Sequence, residues 1–111
     1  MAESDRMPTL VFDEIDLGIG GRIAESVGQR LKLLARDHQV FCITHLHQVA
    51  CCGRTHFTVQ KQSTKGRSVT LVDQLDEDGR VQEIARMLAG ETVDAMALNH
   101  AREMLRRTSV V

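Results

Sequence analysis

Between residues 9 and 44 the chain reads strand, helix, strand, and that order limits the fold more than any other feature. Thr9-Leu10-Val11-Phe12 is short, β-prone and continuously apolar, the pattern of a strand buried on both faces. It runs into Asp13-Glu14-Ile15-Asp16 and a loop, Leu17-Gly18-Ile19-Gly20-Gly21. Residues 22–36 then read as a helix, with Ile23, Val27, Leu31 and Leu34 on one stripe. Asp37-His38 ends it, and residues 39–44 form a second continuous apolar run, read as a second buried strand. This is a βαβ unit, which implies parallel strands and a right-handed crossover.

The rest of the chain reads as smaller pieces. A short helix is expected over 46–51. Two alternating segments, 56–62 and 67–75, flank the polar turn Ser63-Thr64-Lys65-Gly66 and read as an antiparallel hairpin. Asp76-Glu77-Asp78-Gly79 is a polar break before a helix over 80–89, where Val81, Ile84, Ala85 and Leu88 share a face. Gly90 suits its C-cap. A last helix over 93–107 carries Val93, Met96, Ala97, Ala101, Met104 and Leu105 on one side. Arg102, Arg106 and Arg107 near its end suit the helix dipole. Pro8, the only proline, sets off a polar leader, residues 1–7. The expected organisation is one partial α/β domain over 1–111, a parallel βαβ unit followed by a β-hairpin and two C-terminal helices.

Composition removes several function classes. Fourteen Lys and Arg against fifteen Asp and Glu leave a net charge of -1, so no basic surface drives nucleic-acid binding. Three Phe with no Trp or Tyr cannot supply a stacking platform for bases. No run of 18 apolar residues offers a membrane span, and the first residues lack a signal core. Three cysteines fit free thiols in a reducing, cytoplasmic setting.

The strongest chemical signal is the end of the first strand. An apolar strand that delivers Asp13 and Glu14 at its tip has the form of a Walker B motif. The first acid can help hold Mg²⁺ beside nucleotide phosphates, and the second can orient or deprotonate an attacking water. Taken alone, the pair also fits a solvated loop. The second strand ends in Thr44-His45, and ligands of open α/β sheets bind outside the carboxyl ends of strands. A histidine there can donate a hydrogen bond to a γ-phosphate.

With these residues in place, the chain resembles the C-terminal part of an ABC-type ATPase head of the SMC superfamily, a P-loop NTPase. It is most similar there to the RecN family of bacterial DNA-repair proteins. The resemblance rests on residues 9–21, on Ile43-Thr44-His45-Leu46-His47-Gln48-Val49-Ala50, on residues 80–90 and on residues 100–105, and it covers roughly 8–107. It implies that Asp13 supports Mg²⁺, that Glu14 activates water and that His45 senses the γ-phosphate. It makes Asp16, Leu17, Gly18, Ile19 and Gly20 a D-loop at a head-to-head homodimer interface around ATP. It further implies recombinational repair of double-strand breaks, contact with DNA through a full-length protein, and a cytoplasmic, nucleoid-associated setting.

No G-x-x-x-x-G-K-[ST] loop occurs in the sequence, and the signature motif is also missing. The chain therefore reads as a fragment that holds the metal and water side of a site, and it needs the N-terminal half of the head as a partner. ATP and Mg²⁺ are expected to bind only in the complete head, and hydrolysis by this chain alone should be very weak or absent. The other class of reading is a non-catalytic dimerising module derived from such a head.

Three weaker readings compete. Gly18-x-Gly20-Gly21 suggests a dinucleotide fingerprint, but position 23 is Ile and acids crowd the entrance. Those glycines more simply suit a tight loop needing positive φ. Cys42, His45, His47, Cys51, Cys52 and His56 lack the paired spacing of a zinc site. Cys51 and Cys52 have histidines nearby, without any sign of a fixed nucleophile geometry. Lys61, Lys65 and Arg67 near the hairpin read as a solvated face.

Overall fold

The hairpin turn shows how local sequence sets this structure. Lys65 and Gly66 both have positive φ, 52° and 77°. Two such residues in a row make a two-residue turn whose twist matches that of the flanking strands. The polar turn expected over four residues is thus tightened to two, and the strands extend inward to meet it. A computed structural model describes residues 8–13 and 20–109 of the chain. Its elements are β1 (Thr9–Asp13), α1 (Gly21–Leu34), β2 (Gln39–Ile43), α2 (His47–Ala50), β3 (Phe57–Thr64), β4 (Arg67–Gln74), α3 (Glu77–Ala89) and α4 (Ala95–Ser109). β1 and β2 pair in parallel, Thr9 opposite Gln39 through Asp13 opposite Ile43. β3 and β4 pair antiparallel, Phe57 opposite Gln74 through Thr64 opposite Arg67. The described residues form a small α/β unit with two separate two-stranded sheets.

The core lies among the helices. Cys51, Ile84, Ala85, Ala101 and Met104 are buried together, with Val81, Leu88, Ala97 and Leu105 packed around them. The chain of contacts runs α1 on α2, α2 on α3 and α3 on α4. The Thr108 hydroxyl donates to the Cys51 carbonyl at 2.8 Å and ties the last turn of α4 to the end of α2.

Both strands of the parallel pair are less buried than their apolar runs suggest. They alternate exposed and half-buried positions, and Val11 is 65% exposed and Ile43 57%. Continuous apolar runs fit a sheet covered on both faces, and this pair has a half-covered face only. Leu10, Phe12, Val40 and Cys42 share that half-buried face.

The helices correct the sequence reading in detail. On α1 only part of the expected stripe packs: Val27 and Leu31 are half-buried, Ile23 and Leu34 are exposed, and Ala24 and Gly28 are buried. The reason is close approach. A Cβ at Gly28 would stand 2.7 Å from the Cys52 Sγ and 3.0 Å from the Gln48 carbonyl oxygen, so α1 meets α2 through its smallest residues. The polar break before α3 is its N-terminus. Asp76 caps it by accepting from the Gly79 amide at 2.7 Å, and Glu77 and Asp78 occupy the first turn. Gly90, at φ 78°, ends the helix as expected. α4 begins two residues later than expected because the Asp94 carboxylate accepts from the Ala97 amide at 2.9 Å. Met96 on its first turn is 79% exposed and is no part of the core.

Two stability outcomes follow from these contacts. Gly28→Ala should cost about 1 kcal/mol, since overpacking of ~1–3 kcal/mol exceeds a helix-propensity gain of ~1 kcal/mol. Adding Cys52→Ala should recover part of it, read as the urea midpoint; a stabilised Gly28→Ala would contradict the close approach. Asp76→Ala should cost about 1 kcal/mol through the lost cap.

Candidate functional site

Asp13 is the last residue of β1 and pairs with Ile43, the last residue of β2. His45 follows two residues later, exposed, in the bend between β2 and α2. The Thr44 hydroxyl oxygen accepts from the Leu46 amide at 3.0 Å, which turns the chain sharply at that point. Because the strands are parallel, Asp13 and His45 both lie at the carboxyl edge of the same sheet. The Asp13 side chain is exposed on the face it shares with Val11, Phe41 and Ile43.

Gly20 stands in extended conformation at φ -86° as the N-cap residue of α1, and its carbonyl accepts from the Ala24 amide at 2.9 Å. Neither Gly20 nor Gly21 has positive φ, so the tight-loop explanation fails for both. At Gly21 a Cβ would stand 2.9 Å from the Gln48 side-chain nitrogen, the end of a flexible side chain that can shift aside. Glu14, Asp16, Leu17, Gly18 and Ile19 lie outside the described residues.

Among the described residues no group of three His, Cys, Asp or Glu side chains converges as a metal cage. One exposed carboxylate at a strand tip is nevertheless the kind of donor Mg²⁺ takes, since it keeps several waters and completes its shell with phosphate oxygens. Asp13 by itself does not make a dedicated protein cage.

A second cluster was not foreseen. The Arg80 guanidinium reaches the carbonyls of Ala50 and Arg54, both at 3.5 Å, at the C-terminal end of α2. Burial lowers its pKa, and the thiols of Cys51 and Cys52 oppose that shift. His56 lies beside it, its buried Nδ1 without a hydrogen-bond partner. Burial lowers the His56 pKa, and the Arg80 charge lowers it further. The pKa of His47 is also lowered, by burial and then by His100. The signal for Arg80 was present in the sequence: it stands four residues before Ile84, on the packed face of its helix.

Fold and site together define a small α/β unit that presents an aspartate and a histidine at one edge of a parallel strand pair. No family model matches the chain. It is 48% identical over 101 residues to the DNA repair protein RecN of Xylella fastidiosa strain Temecula1, covering 91% of this chain and 18% of that protein. With RecN of Deinococcus radiodurans it shares 50% over 98 residues, 88% of this chain and 17% of the relative. RecN of Bacillus subtilis is 38% identical over 103 residues, 93% of this chain and 18% of that protein. The chain is thus homologous to one segment of bacterial RecN, and spans less than a fifth of these relatives' length. Among the described residues no helix is long and apolar enough to cross a membrane.

The histidines give a pH outcome. A lowered folded pKa means that the unfolded chain binds the proton first, so stability falls as pH drops below 6.5. His56→Gln should flatten the dependence of the urea midpoint on pH across that region. An unchanged slope would remove His56 as a source.

Proposed function

We propose that this chain is the Walker B, D-loop and switch-histidine segment of a RecN-like ATPase head acting in recombinational repair of DNA double-strand breaks. The observation that carries the reading is the placement of Asp13 and His45 on adjacent carboxyl ends of a parallel pair. The similarity to RecN supports it, as does the amount of apolar surface left open on both sheets. On this reading the fold is the C-terminal half of an ABC-type P-loop head, and the missing four-fifths of a RecN chain supplies the phosphate loop.

In the assembled head, Asp13 would hold Mg²⁺ through water, and Glu14 would accept a proton from the attacking water. His45 would donate a hydrogen bond to the terminal phosphate. Asp16, Leu17, Gly18, Ile19 and Gly20 would face the second head. Bound Mg²⁺ supplies neutralisation of phosphate charge. DNA contact belongs, on this reading, to the complete protein.

The test mixes this chain with a RecN chain shortened by the matching segment and measures Mg²⁺-ATP turnover. Turnover is expected only in the mixture. Glu14→Gln should reduce it by on the order of 10²-fold or more while sparing ATP binding; unchanged turnover would sink the general-base role. His45→Ala should also slow turnover. A folded, associated mixture without turnover would instead favour the dimerising module. The open pair of Val59 and Val72, 64% and 60% exposed and directly opposite on the hairpin, gives that module its surface.

A further inference from the structure

We propose that the Cys51–Cys52 pair is a thiol-modification site, at which Cys52 undergoes exchange with an anionic low-molecular-weight disulfide such as oxidised glutathione. Three features carry this: two consecutive thiols that both reach one carbonyl oxygen, a cleft lined by both, and cations on that cleft.

The two cysteines close α2. Both Sγ atoms reach the Gln48 carbonyl oxygen at 3.4 Å. Cys51 is only 4% exposed, whereas Cys52 is half-buried. The pair lies on a cleft of about 250 Å³, walled by Glu25 and Lys32 of α1, Gln48 of α2, and Met104 and Arg107 of α4. Burial therefore selects Cys52 as the thiol that a small molecule can reach, with Cys51 behind it.

The surroundings favour a Cys52 thiolate. A hydrogen bond from Cys51 lowers the Cys52 pKa most strongly; burial raises it, Lys32 lowers it, Glu25 raises it and Arg80 lowers it. Cys51 moves the other way: the neighbouring Cys52 thiol and burial raise its pKa. The thiolate is the nucleophile in exchange. Lys32 and Arg107 against Glu25 leave the cleft net positive, which suits a reagent carrying carboxylates.

The step balances without a further reactant. The Cys52 thiolate attacks one sulfur of the disulfide and forms a new S–S bond. The old S–S bond breaks, and its other half leaves as a thiolate that takes a proton from water. Cys51 positions and activates Cys52 and is not consumed.

Oxidised glutathione is the probe, and peptide mass spectrometry locates the adduct. The comparison thiol is Cys42, half-buried in β2. Cys52, which lines the cleft beside Lys32, should react roughly tenfold faster than Cys42 at neutral pH. Cys51→Ala should move the pH midpoint of Cys52 labelling upward, which mere accessibility would not do. Lys32→Ala should slow reaction with oxidised glutathione more than with uncharged hydroxyethyl disulfide. Equal rates at Cys42 and Cys52, an unmoved midpoint in Cys51→Ala, or no adduct on a chain folded by circular dichroism would each overturn the proposal.

Discussion

Everything described here rests on one small helical seam. Ile84 and Ala85 of α3 meet Ala101 and Met104 of α4, and the end of α2 closes over them at Cys51. Ile84 is the largest side chain that is fully buried. A core this small holds three helices together and leaves little for the strands. α1 joins through α2, and only because Ala24 and Gly28 permit the backbones to approach. The radius of gyration, 15.7 Å, exceeds the roughly 13 Å usual for a chain of this length.

The open parts are the strands, whereas residues 80–90 and 100–105 lie on or at the ends of the packed helices α3 and α4. The parallel pair and the hairpin present Val11, Phe41, Ile43, Val59 and Val72 to solvent. Exposed apolar faces and strand edges of this extent belong to surfaces that expect a cover. The same openness leaves Asp13 and His45 accessible at the sheet edge. The accessible strand ends and the open apolar faces thus share one origin: two strands cannot bury their own faces.

Much of this was legible in the sequence, and the reasons are local. Strand runs, helix periodicity, the Gly90 cap and the hairpin depend on neighbours within a few residues, and each falls close to where its pattern points. The parallel pairing followed from the strand–helix–strand order. The misreadings were errors of environment. Pattern alone credited β1 and β2 with two covered faces and gave α1 a buried Ile23, because apolar side chains were taken to be packed wherever they aligned. The capping carboxylates of Asp76 and Asp94 shifted two helix starts, a one-hydrogen-bond effect that periodicity does not register.

The sequence by itself determined the order of the elements, the parallel strand pair, and which residue types stand at its carboxyl edge, because strand propensity, turn chemistry and chain order are properties of short segments. Only the tertiary structure decided which apolar residues are buried, why Gly28 is a glycine, and that Cys51, Cys52 and Arg80 share one corner. Those outcomes depend on how closely α1, α2, α3 and α4 approach one another, and that distance is set by packing between residues far apart in the chain.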